Sequence, residues 1–292
     1  MLFSRNVFAR AFCAGLVVSC SFAAFGEALY VVDHGSKVLS FDVIGDELIF
    51  RNEVSVPRGG GIDLAIDDEH NILFRTVEGS SGIDIVEAHT MTYIKTVNMP
   101  ELVNSGIVYD ARYRQLLCVQ RNSNNLYILD WNPGEQTITM QLPHIELAEI
   151  TYACDLAFNG DILYVSEYRH YGEPTYTKVY AYDMNDSFAY LGTFDMEYPI
   201  VGMDYKTSDN SIYGGAWQGQ DNQYIVKKML DPNTVIVKDI GANVIGLNAN
   251  NSTSGRVFVT TYRNEGTIET VSYTHLRAHE TSLHLVCRLL LE

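Results

Sequence analysis

One hairpin pattern recurs along this chain and restricts its fold more than any other feature. Two alternating apolar strands flank a short polar turn in VLSFDVIGDELIF from Val38, IDIVEAHTMTYIKTV from Ile83, LYILDWNPGEQTITM from Leu126, VYAYDMNDSFAYLGTF from Val179 and YIVKKMLDPNTVIV from Tyr224. The turns fall near Gly45, His89, Pro133, Asn185 and Pro232, at spacings of about 44, 44, 52 and 47 residues. A period in the mid-forties is that of a four-stranded unit that cannot cover its own faces and must stack on copies of itself.

The other two strands of each unit recur as well. A short inner strand is read at 62–66, 107–109, 154–158, 202–205 and 246–249, and a second strand at ILFRT from Ile72, LLCVQ from Leu116, ILYVSE from Ile162, SIYGGAW from Ser211 and RVFVTTY from Arg256. Alternating β-branched and aromatic residues between Asn, Asp and Gly clusters favour strand over helix throughout. The fold class expected is all-β, a β-propeller of four-stranded blades. Six blades are readable, the last one truncated, and the intact ring has six or seven. With strands lettered a to d from the axis outward, the first blade opens at LYVV from Leu29 with its strand b. Its strand a is expected from a chain end beyond this sequence, because an open ring leaves two exposed sheet edges. About 20 to 30 further residues would complete six blades, and about 70 would complete seven.

The strings LYVV, ILYVSE and RVFVTTY, each after a polar turn and before a Gly- or Asn-containing loop, resemble the YVTN and NHL-like propeller repeats of secreted bacterial proteins. The likeness spans residues 28–270 and implies the fold. For function it implies only a wide range, since those families include surface-layer and adhesion repeats, scaffolds and lactonases.

The ends read differently from the repeat. Residues 1–26 carry Arg5 and Arg10, no acidic residue, an apolar run from Ala11 and a small-residue pair at Ala24 and Gly26, the pattern of a secretory leader cleaved before Glu27. Lipidation at Cys20, after Val17-Val18-Ser19, is the alternative. The mature protein is then exported to the periplasm, cell surface or extracellular space, with no membrane span after leader removal. Residues 271–292 resemble translated sequencing-library adapter and are set aside, along with the helix-like spacing of His275 and His279. The domain expected is therefore 27–270.

A net charge of −16 opposes nucleic acid and anionic membranes, which need a basic footprint. Cys118 and Cys154 each lie in an apolar strand pattern and are either buried thiols or, in an oxidising compartment, a bridge. No G-x-S-x-G elbow, P-loop, G-x-G-x-x-G after a strand, H-E-x-x-H or CxxC occurs.

Two groups of residues are candidates for function. The b-to-c and d-to-a loops share one face of a propeller and offer Asp33, His34, Arg58, Arg121, Tyr168, Arg169, His170, Trp217 and Tyr262, residue types that combine contact area with directed hydrogen bonds. That face suits a protein or carbohydrate ligand. The inner strands carry Asp63, Asp155, Asp204 and Asn248 at similar positions. These would either ring a Ca²⁺, a cation that takes oxygen ligands, or bond the backbone amides of the neighbouring blade. No other cofactor is expected. Two functions follow: a non-catalytic binding or scaffold module, or a Ca-dependent lactonase-like hydrolase with His34 or His170 as base. Ligand side chains converging on one point would favour the second, and side chains directed into separate blade interfaces the first.

Overall fold

The computed structural model describes residues 16–23, 26–33, 35–44, 47–167, 178–196, 200–206, 210–216, 224–229, 235–239, 243–249, 256–262 and 267–272. They form six antiparallel sheets and, among the described residues, no helix. Blade one is β1 Leu16–Ala23, β2 Gly26–Asp33, β3 Lys37–Ile44 and β4 Glu47–Ser55, and blade two is β5 Gly61–Asp67, β6 Ile72–Val77, β7 Gly82–Glu87 and β8 Thr92–Asn98. Blade three is β9 Ile107–Asp110, β10 Gln115–Val119, β11 Asn125–Asn132 and β12 Thr137–Met140, with β13 Ile145–Glu146 added to the edge of β11. Blade four holds β14 Ala153–Asn159, β15 Ile162–Glu167, β16 Lys178–Asp183 and β17 Ala189–Asp195. Blade five holds β18 Ile200–Lys206, β19 Ser211–Ala216, β20 Tyr224–Met229 and β21 Val235–Asp239. Blade six holds β22 Asn243–Asn248, β23 Arg256–Tyr262 and β24 Thr267–Ser272. Each sheet pairs in sequence order. The innermost strands β1, β5, β9, β14, β18 and β22 succeed one another around the axis, and β22 returns to β1. The described residues thus form a β-propeller of six blades.

The alternation of side chains along each strand is what closes the ring. In β2, Ala28, Tyr30 and Val32 pack toward blade two with Leu64, Leu73 and Val86, while Leu29 and Val31 pack the other way, with Phe258 of blade six. In β10, Leu116 and Cys118 face Phe74 and Ile85 of blade two, and Leu117 and Val119 face Leu163 and Val165 of blade four. In β19, Ile212 joins Tyr164 and Val179, and Tyr213 joins Leu247 and Val257. Middle strands such as β6, β10 and β15 are thus covered on both faces and read as almost unbroken apolar runs, whereas outer strands such as β4 and β17 are largely exposed. The a-to-b turns of blades two to five pass through a left-handed residue, Asn71, Arg114, Gly160 or Asn210, where the chain reverses into strand b.

Two findings depart from the sequence reading. The innermost position of blade one, expected to be filled from beyond the chain's end, is taken by β1, which pairs along its whole length with β2 from Leu16↔Asp33 to Ala23↔Gly26 and lies against β5 and β22. An apolar, β-branched run suits a leader and a buried strand equally, so composition alone does not separate them. The ring is accordingly closed by residues of this chain. In addition, β24 runs to Ser272, two residues into the segment set aside as adapter.

The inner strands approach so closely that side chains are excluded. A Cβ on Gly106 would lie 2.8 Å from Cα of Asp155, and one on Gly202 would lie 2.8 Å from Cα of Gly246. Gly106→Ala is therefore expected to force blades three and four apart and to cost about 1–3 kcal/mol, read as a lower urea midpoint with an unchanged m-value.

Candidate functional site

The channel carboxylates come first, because their geometry decides between the two chemistries expected of them. Asp63 lies within the irregularity that interrupts β5–β6 pairing between Gly61 and Leu64, and Asp155 lies within the matching one between Ala153 and Leu156. A bulge leaves amides without ladder partners, and an aspartate can capture them. Asp63 Oδ1 accepts from the Leu64 amide at 2.8 Å and Oδ2 from the Ile107 amide of blade three at 2.8 Å. Asp155 repeats this with Leu156 at 2.9 Å and Met203 of blade five at 2.6 Å. Asp204 does so with Tyr205 at 2.8 Å and Ala249 of blade six at 2.7 Å. Each is a clip between consecutive blades. Between blades three and four, where Val108 offers no carboxylate, the Gly106 amide donates to Cys154 O at 3.0 Å and Ser105 Oγ donates to the same oxygen at 2.5 Å.

Asn248 breaks the series. It is 9% exposed, yet among the described residues its Oδ1 has no hydrogen-bond partner, so it is not a fourth clip. Among the described residues no group of three or more His, Cys, Asp or Glu side chains is arranged to hold a metal. Burial raises the Asp63 carboxyl to about 7, with the charge of Asp204 adding to the effect. Burial, and then the Asp63 charge, push Asp155 well above the usual carboxylate range. The two carboxyls therefore resist ionising together in a poorly hydrated channel.

The loop face is a bonded net. Asp33 is buried, accepts the Lys37 amide at 2.8 Å and is pushed upward by desolvation. Arg58 donates to Ser80 Oγ and, at 2.7 Å, to Asn98 Oδ1. Arg121 donates to Glu78 at 2.6 Å, and the Glu78 amide donates to Gly60 O at 2.7 Å. Tyr262 is the last residue of β23. His34, Tyr168, Arg169, His170 and Trp217 lie outside the described residues.

The organising residue of that face escaped the sequence reading. Arg75, in the middle of ILFRT, is fully buried, bonds Asp84 of β7 at 2.7 Å and donates to Arg58 O at 3.0 Å and Gly35 O at 2.8 Å. Thr96 Oγ1 donates to the other Asp84 oxygen at 2.5 Å. One guanidinium thereby ties the b-to-c turn of blade one, the connector and two strands of blade two. Cys118 and Cys154 are both free thiols, in different blade interfaces, and desolvation raises both, Cys154 to about 12.

At the opposite end of the channel, among the a-to-b turns, lies a cavity of about 260 Å³. Its walls include Leu64, Ile66, Val108 and Phe158 from blades two to four, and Asp204 and Asn248 from blades five and six. The signal for this end was also in the sequence, since strand a finishes on a polar residue in successive blades. Asp67 accepts Trp131 Nε1 of blade three at 2.9 Å, Arg112 joins Asp110 to Asp161 of blade four, and Asn159 donates to the Tyr205 hydroxyl of blade five at 2.9 Å.

No protein-family model matches this sequence, and no curated protein matches it either. Among solved structures, the chain is similar to hydrazine synthase of Kuenenia stuttgartiensis, with a TM-score of 0.56 and 11% identity over 89% of this chain and 80% of that one. At that identity the likeness supports the propeller fold and carries nothing of activity.

Two substitutions check this bonding. Asp84→Ala leaves the Arg75 charge buried without its partner and is expected to cost about 3–5 kcal/mol, much of it recovered when Arg75 is replaced by Leu as well. For Asp63, a folded-state carboxyl held up to about 7 makes the wild-type protein lose stability as pH rises from the ordinary carboxylate range toward that value. Asp63→Asn orphans one amide, at about 1–3 kcal/mol, but removes the titration. Its deficit in melting experiments should be widest near about pH 4 and shrink toward neutrality.

Proposed function

We propose that this propeller is an exported, non-catalytic binding or scaffold module that presents its loop face to a protein or carbohydrate. The observation that carries the reading is the double use of each channel carboxylate: both oxygens of Asp63, Asp155 and Asp204 accept amides, one from the next blade. A hydrolase metal would need those oxygens turned to a common point at about 2.3–2.6 Å. The loop face adds support. Arg58 and Arg121 are fixed by neighbouring blades, so the surface is preformed and a partner loses little side-chain entropy in meeting it. The acidic balance of the chain disfavours nucleic acid as that partner.

Export belongs to the same reading and bears on β1. Cleavage before Glu27 removes residues 16–23, so intact mass of the chain recovered outside the cytoplasm is expected to start at Glu27, whereas a mass retaining β1 would sink the cleaved-leader part of the reading.

Millimolar Ca²⁺ is expected to leave the melting temperature where a chelator leaves it. A chelator-reversible rise of several degrees, lost in Asp155→Asn, would transfer support to the Ca-dependent hydrolase.

A further inference from the structure

Asn159 and Gly160 form the only Asn-Gly pair of the sequence, and the fold sets that pair at an a-to-b turn. Asn159 is the last residue of β14 and pairs with Ile162 of β15, while Gly160 begins the reversal between them at a φ of 53°. Asn159 is half-buried and Gly160 exposed, and a Cβ placed on Gly160 would meet nothing within 4 Å. A main-chain nitrogen whose own residue has no side chain is the least hindered nucleophile that a polypeptide can bring to a neighbouring carboxamide.

The bonds around Asn159 restrain it and also depend on its being an amide. Strand a of blades two and three ends on Asp67 and Asp110, carboxylates that accept from Trp131 and Arg112. Asn159 has the opposite polarity. Its Nδ2 donates to the Tyr205 hydroxyl of blade five at 2.9 Å, and its side chain also bonds the hydroxyl of Tyr164, whose ring stacks on that of Tyr205 at 5.7 Å. The Tyr205 hydroxyl gives its single proton to Asn210 Oδ1 in the a-to-b turn of blade five. A carboxylate at position 159 has no proton to donate and would compete with Asn210 for that one.

We propose that Asn159 is a site of spontaneous deamidation, restrained by its bond to Tyr205, and that its conversion loosens the joint between blades four and five. The Gly160 nitrogen attacks Cγ of Asn159. The new N–Cγ bond closes a succinimide as the Cγ–Nδ2 bond breaks, and the amide proton leaves with Nδ2 as ammonia. Water then opens one of the two ring carbonyls, leaving aspartate or isoaspartate. No oxidant or cofactor takes part, and the reaction stands or falls apart from the binding function proposed for the loop face.

The test incubates the full chain at mildly alkaline pH and maps it by proteolysis and mass spectrometry, with aspartyl and isoaspartyl peptides separated. Both products are expected at Asn159 before any change at Asn104-Ser105 or Asn122-Ser123. Tyr205→Phe should convert faster by about threefold or more, the worth of one hydrogen bond that has to break. The rates at Asn104 and Asn122 should stay as in the wild type, which distinguishes loss of that bond from general opening of the ring. Asn159→Asp should melt below the wild type at neutral pH. If Tyr205→Phe does not fold, the wild-type map and Asn159→Asp decide. An intact Asn159 after Asn122 has changed, an unaltered rate in Tyr205→Phe, or an Asn159→Asp protein as stable as the wild type would each overturn the proposal.

Discussion

The innermost strand of every blade has no strand on its axial side. Its amides and carbonyls face the axis, and each one buried without a partner destabilises the ring. Much else in this molecule answers to that constraint. Asp63 and Asp155 lie where the ladder to strand b is interrupted, so each carboxylate bonds an amide loosened in its own strand and an amide of the next blade. Blade three, lacking the aspartate, meets blade four through Ser105 and Gly106. The glycines follow from the same arrangement, because a clip between adjacent backbones draws them too close for a Cβ at Gly106 or Gly202.

The apolar layers enforce the remainder. Each strand divides its side chains between two neighbours, and a shift of one residue in any register would exchange them. Tyr213 and Ile212, adjacent in sequence, belong to different interfaces, as do Phe74 and Leu73. The polar contacts at the two channel ends therefore join surfaces already held in place: Arg75, Arg58 and Arg121 at the loop end, and Asp67, Arg112 and Asn159 at the turn end. Such bonds fix the angle between blades more than they drive association.

What could be read from the sequence was what repeats. The hairpin spacing located the blades, and the inner and second strands lie within three residues of where the pattern puts them, as with β6 at Ile72 and β19 at Ser211. Asp63, Asp155 and Asp204 could be found because they recur, and the recurrence itself agrees with the amide-bonding role they have. Arg75 could not be found that way. Strand pairing puts Cys118, Val165 and Gly214 at its position in blades three to five, so a single charged letter in an apolar string has no sister to draw attention to it. Asn248 was grouped with the aspartates because it has their position, whereas its chemistry differs: it is an acceptor without a donor. The residues before Gly26 satisfy two patterns at once, that of a leader and that of a strand, and it is as a strand that residues 16–23 pair with β2.

The described side chains furnish the interfaces differently. Between blades two and three, Phe74, Tyr127 and Trp131 fill the space with aromatic rings, but between blades six and one Phe258 is the one described side chain of blade six that enters the cluster of Leu29, Val31, Leu39, Phe41 and Val43. A ring of like units each touching only its neighbours comes apart from its weakest joint, and the opening then runs from blade to blade as a front. Phe258 is in that sense the clasp of a bracelet, a phenyl group of the last blade held among side chains of the first.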